Sequence, residues 1–480
     1  MSLENIKKDR AKKLKKIKDA GINPYPSFFK KNQRIKDVIS PFKKGRKVIL
    51  AGRIITIRRH GGSLFLDLED GTGRIQAFLK KDKLGENYNF FIENIDSGDF
   101  ILFEGKMFLT KKGEKTIEVF KYEILAKSLL PLPEKWHGIQ DIEERFRKRY
   151  LDLLMSSETK EIFVLRSKIV SEIRKILEEE GFLEVETPIL QHVHGGAAAT
   201  PFKTHHKSLD INLFLRIAPE LYLKRLLVGG FDKVYEIGRV FRNEGIDKSH
   251  NPDFTMLEFY WAYINLEEMM DFCEKMIKLL VKNVFGKNKI KYQGKDINFT
   301  VPFRKINFYD LLEKKFKVDF RKISDIKIKE IANKFKIPTK EKSRFKILDD
   351  IFKKACREEI LQPTFVLYQP IELTPLAKNF NRDPDLASRF QLIIGGWETV
   401  NAFSELNDPI DQKKRFEYEK LERKKGDKEA HPFDIDFIEA LSYGMPPAVG
   451  FGMGIDRIVA ILTDSKSLKE VILFPLMRPR

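Results

Sequence analysis

FLRIAPELYLKRLLVGGFDKVYEIGRVFRNEGIDKSHNPDFTMLEFYWAY, Phe214 to Tyr263, is the stretch on which the fold of this chain turns. Its alternating apolar runs read as two antiparallel strands, around Lys233 to Phe241 and Phe254 to Tyr263, joined by a polar loop carrying Arg242, Glu244, His250 and Asn251. A strand pair is a rigid mount. A fork-shaped guanidinium just past the first strand can bridge a carboxylate and a phosphate, while a neighbouring carboxylate reads an amine or an adenine edge. That arrangement suits joining an acid to a nucleotide.

Outward from this block, the 480 residues are too many for one ordinary core, so two or three domains are expected. Only two cysteines occur, Cys273 and Cys356, which excludes a disulfide framework and a four-cysteine zinc site and fits a reducing cytoplasm. His192 with His194, and His205 with His206, lack the further ligands of a metal site and read as loop and strand histidines. The lysine-rich Met1 to Ala20 segment has no continuous apolar core, so it is neither a secretory signal nor an anchor. No later run has the length of a spanning helix, and a soluble protein is expected. The formal charge of +19, from 89 basic and 70 acidic residues, favours a polyanionic partner. Heavy Lys, Ile and Phe usage from an AT-rich genome would account for the same excess.

Residues 4 to 20 read as a basic helix stopped by Gly21, with Ile6, Leu14 and Ile17 as its thin apolar stripe. Packing on the body and contact with RNA account for it equally well. From Val48 the pattern changes to short alternating strands, VILAGRIITIRRH, SLFLDLED, RIQAFLK, FILFEGKMFLT and TIEVFKYEIL, with a helical stretch near Asn87 to Ile95. Five strands with a helix in that position predict an OB barrel, a fold that stacks bases on aromatics over a basic face. Pro131, Pro133 and the following segment read as a connector. The expected division is therefore 1–45 basic helix and lead-in, 46–130 barrel, 131–150 linker and 151–480 catalytic domain, with an inserted helical region at about 268–360. The predicted fold class is α+β.

The run FRNEG…HNPDFTMLE resembles motif 2 of the class II aminoacyl-tRNA synthetases, and RIAPELYLKRLLVGG is similar to the lysyl-tRNA synthetase version. GFLEVETPIL at Gly181 to Leu190 resembles motif 1, and GFGMGIDRIVAIL at Gly450 to Leu462 resembles motif 3. The resemblance covers nearly the whole chain. It implies a catalytic domain built on an antiparallel sheet flanked by helices, activation of L-lysine with ATP and Mg2+, transfer to tRNA(Lys), and a cytoplasmic homodimer joined through motif 1, where Pro188 has its expected place.

Residue by residue, the resemblance implies that Arg242 and Arg457 are the catalytic cations. Glu244, His250, Asn251, Phe254 and Glu398 complete the ATP site, with Arg457 stacking near adenine opposite Phe254. Glu220 meets the α-amino group; Glu405 with Tyr260 meets the ε-ammonium. Glu258, Asn401, Phe403 and Gly196 complete the lysine pocket. A buried cation requires a carboxylate, because an unpaired buried charge is costly. In the barrel, Phe65 is the implied stacking platform, with Arg58, Gln76 and Glu114 as further anticodon contacts. The chain departs from the family at Gln391, where a metal-holding glutamate is usual, and at Thr200, Trp397, Thr399 and Val400. A non-catalytic tRNA-binding paralogue and a ligase that lysylates a protein are the competing readings. Retained Arg242, Glu244, Glu398 and Arg457 oppose the first, and the barrel opposes the second.

Overall fold

Alternation in SLFLDLE and RIQAFLK turns Leu64, Leu66, Leu68, Ile75, Ala77 and Leu79 inward, where all six are buried, and leaves Phe65, Gln76 and Phe78 outside. The computed structural model describes residues 2–30, 32–133, 141–340, 342–424 and 430–479. It divides into two compact units, Met1–Gln140 and Asp141–Arg480.

In the first unit, strands Lys47–His60, Ser63–Glu69, Arg74–Lys80, Phe100–Leu109 and Lys115–Ala126 close a barrel in the order first, second, third, fifth, fourth. Between the third and fourth strands, helix Glu86–Asn94 places buried Phe91 edge-on to Tyr122, 5.0 Å between centroids. The expected OB architecture is present. The basic helix, Leu3–Asp19, packs on the barrel through buried Ile17 and Arg10, whose guanidinium donates to the carbonyls of Ser97, Ser128 and Leu130. Lys13 pairs with Asp96 at 2.8 Å, and the helix's other lysines are exposed.

The second unit is organised by an eight-stranded sheet. Its order is Arg304–Asn307, Thr364–Leu367, Arg389–Ile394, Trp397–Ser404, Ala448–Gly454, Asp253–Ala262, Lys233–Phe241 and Leu183–Glu184. Pairing is antiparallel except at the two edges. One face packs Tyr235, Leu257, Phe259, Leu392, Val400, Phe451 and Met453 with residues of helices Ser157–Glu179, Leu266–Phe285 and Ile455–Leu462. Strict alternation sends the neighbouring residues to the opposite face.

Two expected boundaries shift. Within the region read as an inserted helical segment, 268–360, helix Leu266–Phe285 belongs to the main core through Met269, Cys273, Met276, Ile277 and Leu280, and Arg304–Asn307 is an edge strand of the sheet. Lysine density on its solvent side hides an apolar face at helical spacing. Helices Phe308–Phe316, Asp325–Lys334 and Arg344–Ala355 form a second cluster, centred on Phe308, Phe320, Ile351 and Phe352, that takes in Val366 and Ile393 of the sheet. The expected linker 131–150 also shortens. Residues 134–140 lie outside the described residues, and the helices Ile142–Arg147 and Arg149–Met155 are part of the second unit. Buried Arg149 ties them there through Asp152 and the Lys469 and Leu473 carbonyls.

Candidate active site

In the central strand AVGFGMG, Val449, Phe451 and Met453 enter the core while Gly450, Gly452 and Gly454 face the other way. Register sets those glycines opposite Tyr260, Glu258 and Met256 on one side and sets Gly450 and Gly452 opposite Phe403 and Asn401 on the other. The physical need for glycine is space. A Cβ at Gly450 would overlap Glu405 Oε1 and come within 2.6 Å of the Tyr260 ring.

Over this floor lies an acidic pocket. Glu220, Glu258 and Glu405 are all buried, with Glu405 fully enclosed. Glu220 opens helix Glu220–Val228 and lies beside Gly196, whose positive φ of 87° and missing side chain admit it: a Cβ there would be 2.7 Å from that of Glu220. Tyr260 donates its hydroxyl to Glu258 Oε2 at 3.2 Å. Arg389 donates to Asn401 Oδ1 at 2.7 Å and to Thr374 at 2.6 Å, fixing the amide. Phe403 lines the wall.

Sequence reading missed the residue at the centre. Lys224, buried, donates to Glu220 Oε1 at 2.6 Å and ion-pairs with Glu405, its ammonium 5.6 Å from the Phe403 ring centre. The Glu220-x-x-x-Lys224 spacing on one helix was the available signal. Burial pushes Glu258 and Glu405 well above the usual carboxylate range, and Glu220 upward as well. Burial lowers the Lys224 ammonium pKa, but Glu220 and Glu405 outweigh it and hold the net value above the ordinary one. Glu405 Oε1 has no hydrogen-bond partner among the described residues. Arg389, two positions before Gln391 on the same strand, was likewise missed.

At the other end of the face, Arg242 is half-buried, 5.1 Å from the Phe254 ring centre, and donates to the Ile217 carbonyl at 3.4 Å. Burial pulls its guanidinium pKa down, while Glu244, Glu258 and Glu398 act to raise it. Glu244 and His250 are exposed in the connecting loop, His250 bonded to Asp247 at 2.9 Å. Asn251, expected at the nucleotide, is buried: its amide nitrogen donates to the Asp253 carbonyl at 2.7 Å, while its Oδ1 has no partner among the described residues. Arg457, in the first turn of the helix Ile455–Leu462, donates to the Glu398 carbonyl at 3.0 Å. Its neighbour Asp456 accepts from Arg166 at 2.5 Å and from the Thr255 amide at 2.9 Å, fixing the helix to the strand.

The departing positions have separate surroundings. Val400 fills the core, Thr399 donates to the Leu392 carbonyl at 3.0 Å, and the Thr200 carbonyl accepts from the Asn243 amide at 2.7 Å. Gln391 lies opposite Asn401, on the strand face also reached by Glu398 through Ile393. Its buried Oε1 has no partner among the described residues. No group of three or more His, Cys, Asp or Glu able to hold a metal is assembled among the described residues. One carboxylate and one free amide oxygen fit a magnesium ion that also takes phosphate oxygens, not a caged resident ion.

On the outer face of the barrel, Arg58 is opposite Phe65, and Phe65 stacks on Phe78 at 4.5 Å with 28° between planes. Phe78 and Phe108 are 5.9 Å apart, so the platform is wider than Phe65 alone. Gln76 is held by the Thr116 hydroxyl at 3.0 Å, Arg58 pairs with Asp67 at 3.2 Å, and Glu114 is exposed in the turn after Leu109.

The sheet, its glycine strand and the converging acids and arginines define a class II synthetase. Residues 141–478 match the family of class II tRNA synthetases (D, K and N), and residues 48–125 match an OB-fold nucleic acid binding domain. The lysine–tRNA ligase of Carboxydothermus hydrogenoformans is 48% identical over 100% of this chain and 99% of its own length. Those of Moorella thermoacetica and Aquifex aeolicus are 46% and 50% identical, over 98% and 90% of this chain and 97% and 73% of theirs. The chain belongs to this class II family, in its lysine–tRNA ligase branch.

Proposed function

We propose that this protein is a lysine–tRNA ligase whose acidic face binds L-lysine and whose arginine-rich end binds ATP. The observation that carries the pocket assignment is the buried, unpartnered Glu405 Oε1 beside Lys224. One of the pocket's carboxylate charges is neutralised internally, leaving two to match the two ammonium groups of lysine. Glu405 and Tyr260 take the ε-ammonium; Glu220 and the Gly196 backbone take the α-amino group. Glu258 supports the ε-ammonium site through the hydroxyl of Tyr260, while Asn401, held by Arg389, orients the carboxylate end.

Arg242 lies between the two anions. A lysine carboxylate oxygen attacks the α-phosphorus, the bond to the β-bridging oxygen breaks, and pyrophosphate leaves with the electron pair. No protein nucleophile is required; positioning and cationic stabilisation supply the acceleration. Glu244, His250, Phe254 and Arg457 surround the nucleotide. Glu398 and Gln391 would hold a magnesium ion, which would supply neutralisation of phosphate charge. A terminal ribose hydroxyl of tRNA(Lys) then attacks the acyl carbonyl and AMP departs.

The barrel reads the anticodon by stacking a base on Phe65, with Arg58, Gln76 and Glu114 as further contacts. Exposed Leu183, Ile189 and Leu190 give motif 1 an apolar edge, which supports a homodimer joined there. No helix among the described residues is long and apolar enough to cross a membrane; a cytoplasmic location agrees with the translation role. Amino-acid-dependent ATP–pyrophosphate exchange across the standard amino acids, followed by charging of total tRNA, tests the assignment. Lysine alone should drive exchange. Exchange with another amino acid, or with none, overturns it.

A further inference from the structure

Arg357 belongs to none of the motifs, yet it reaches the nucleotide end of the site. It opens the turn Arg357–Glu359 that follows helix Arg344–Ala355. This turn is fastened to the sheet by the Gly395–Gly396 hairpin, whose amides donate to the Leu361 and Ile360 carbonyls at 2.9 and 2.8 Å. Both glycines have positive φ, 59° and 81°, and a Cβ at Gly396 would lie 3.2 Å from the Glu358 carbonyl oxygen. The backbone contact is therefore close and specific.

Arg357 and Arg457 line one cavity of about 230 Å³, together with Ser249, Trp397, Glu398 and Glu358. The Nε of Arg357 is buried and has no hydrogen-bond partner among the described residues. Two guanidiniums facing one cavity repel each other. Arg457 shows the effect: burial lowers its pKa, Glu398 opposes the fall, and Arg357 and Arg242 add to it. An anion with several oxygens relieves both the repulsion and the orphaned donor.

We propose that Arg357 binds the terminal phosphates of ATP and the departing pyrophosphate, opposite Arg457. The proposal rests on the nucleotide-site reading above and adds a binding residue to it. As the α-phosphorus bond to the bridging oxygen breaks, the electron pair and charge pass to pyrophosphate. A guanidinium on that group stabilises the charge without a proton transfer. It also supplies positive charge beside a site where Gln391 brings no carboxylate for a metal.

The test compares Arg357→Ala and Arg357→Lys with the unaltered protein, measuring ATP, pyrophosphate and AMP binding by calorimetry alongside lysine-dependent exchange. Arg357→Ala should weaken ATP and pyrophosphate binding roughly tenfold to hundredfold, with AMP binding and the KM for lysine unchanged. Arg357→Lys should recover part of that loss. Equal weakening of ATP and AMP, or unchanged binding of both, overturns the proposal. So does normal exchange with impaired charging, which would assign Arg357 to the tRNA acceptor strand. Unaltered protein that binds neither ATP nor AMP overturns the nucleotide-site reading itself; normal binding there with a normal Arg357→Ala overturns only the role of Arg357.

Discussion

The two ends of the catalytic face are built on opposite principles. At the lysine end every acid is buried and two of them, Glu220 and Glu405, share an internal lysine. At the nucleotide end Glu244 and His250 are exposed and Arg242 and Arg457 are half-exposed. A small cation is selected by enclosure, because desolvation makes any mismatch costly. A large polyanion is held by several flexible cations around an open cavity. The difference teaches where each kind of substitution should act.

The strongest way to break the contrast is Glu405→Gln. It removes a buried charge and leaves Lys224 with one acidic partner, so kcat/KM for lysine activation should fall roughly hundredfold or more. AMP binding should remain within about twofold of its starting value, given the distance between the two ends. Exchange that survives this change would dismantle the lysine pocket. Gly450→Ala comes next, since its new Cβ collides with Glu405 and Tyr260. The KM for lysine should rise roughly tenfold to hundredfold, and a KM within experimental error of the original would remove the glycine floor from the account.

The barrel supplies an outside control. Phe65→Ala should lower kcat/KM for tRNA charging about tenfold through lost base stacking, with Phe78 and Phe108 retaining part of the platform. Lysine-dependent exchange should not change; an equal loss in both assays would contradict the division of labour.

The smallest effect sharpens the contrast through pH. Burial holds Glu258 and Glu405 above their ordinary value of 4.5, so lysine-free protein keeps protons there that the unfolded chain loses. It should therefore lose stability as pH rises from that value toward the folded-state pKa. Lysine's ammonium favours the ionised carboxylates. Binding should release protons and tighten by at most roughly tenfold per pH unit per proton released below the raised pKa. Calorimetry in buffers of differing ionisation enthalpy reads this directly, and proton uptake would reverse the assignment.

Much of this was legible in the residues themselves. Period-two alternation places Glu258 and Tyr260 opposite Leu257 and Phe259 on any strand, and the turn-separated strands after Val48 announce a barrel. Helix Leu266–Phe285 was misassigned because its charged face dominates the composition, although its apolar spacing was present. Lys224 was overlooked for a different reason. A lysine in a helix reads as a solvated charge until the fold shows two acids around it.

Local periodicity and motif spacing thus determined the strand pair, the barrel, the glycine strand and the family, because backbone geometry acts over a few residues at a time. Tertiary structure decided what stands beside what. It brought Glu405 to Lys224 across 181 positions of chain, and carried Arg357 to Arg457 on the Gly395–Gly396 turn. Electrostatics and enclosure depend on distance in space, and the separation of residues along a chain leaves that distance open.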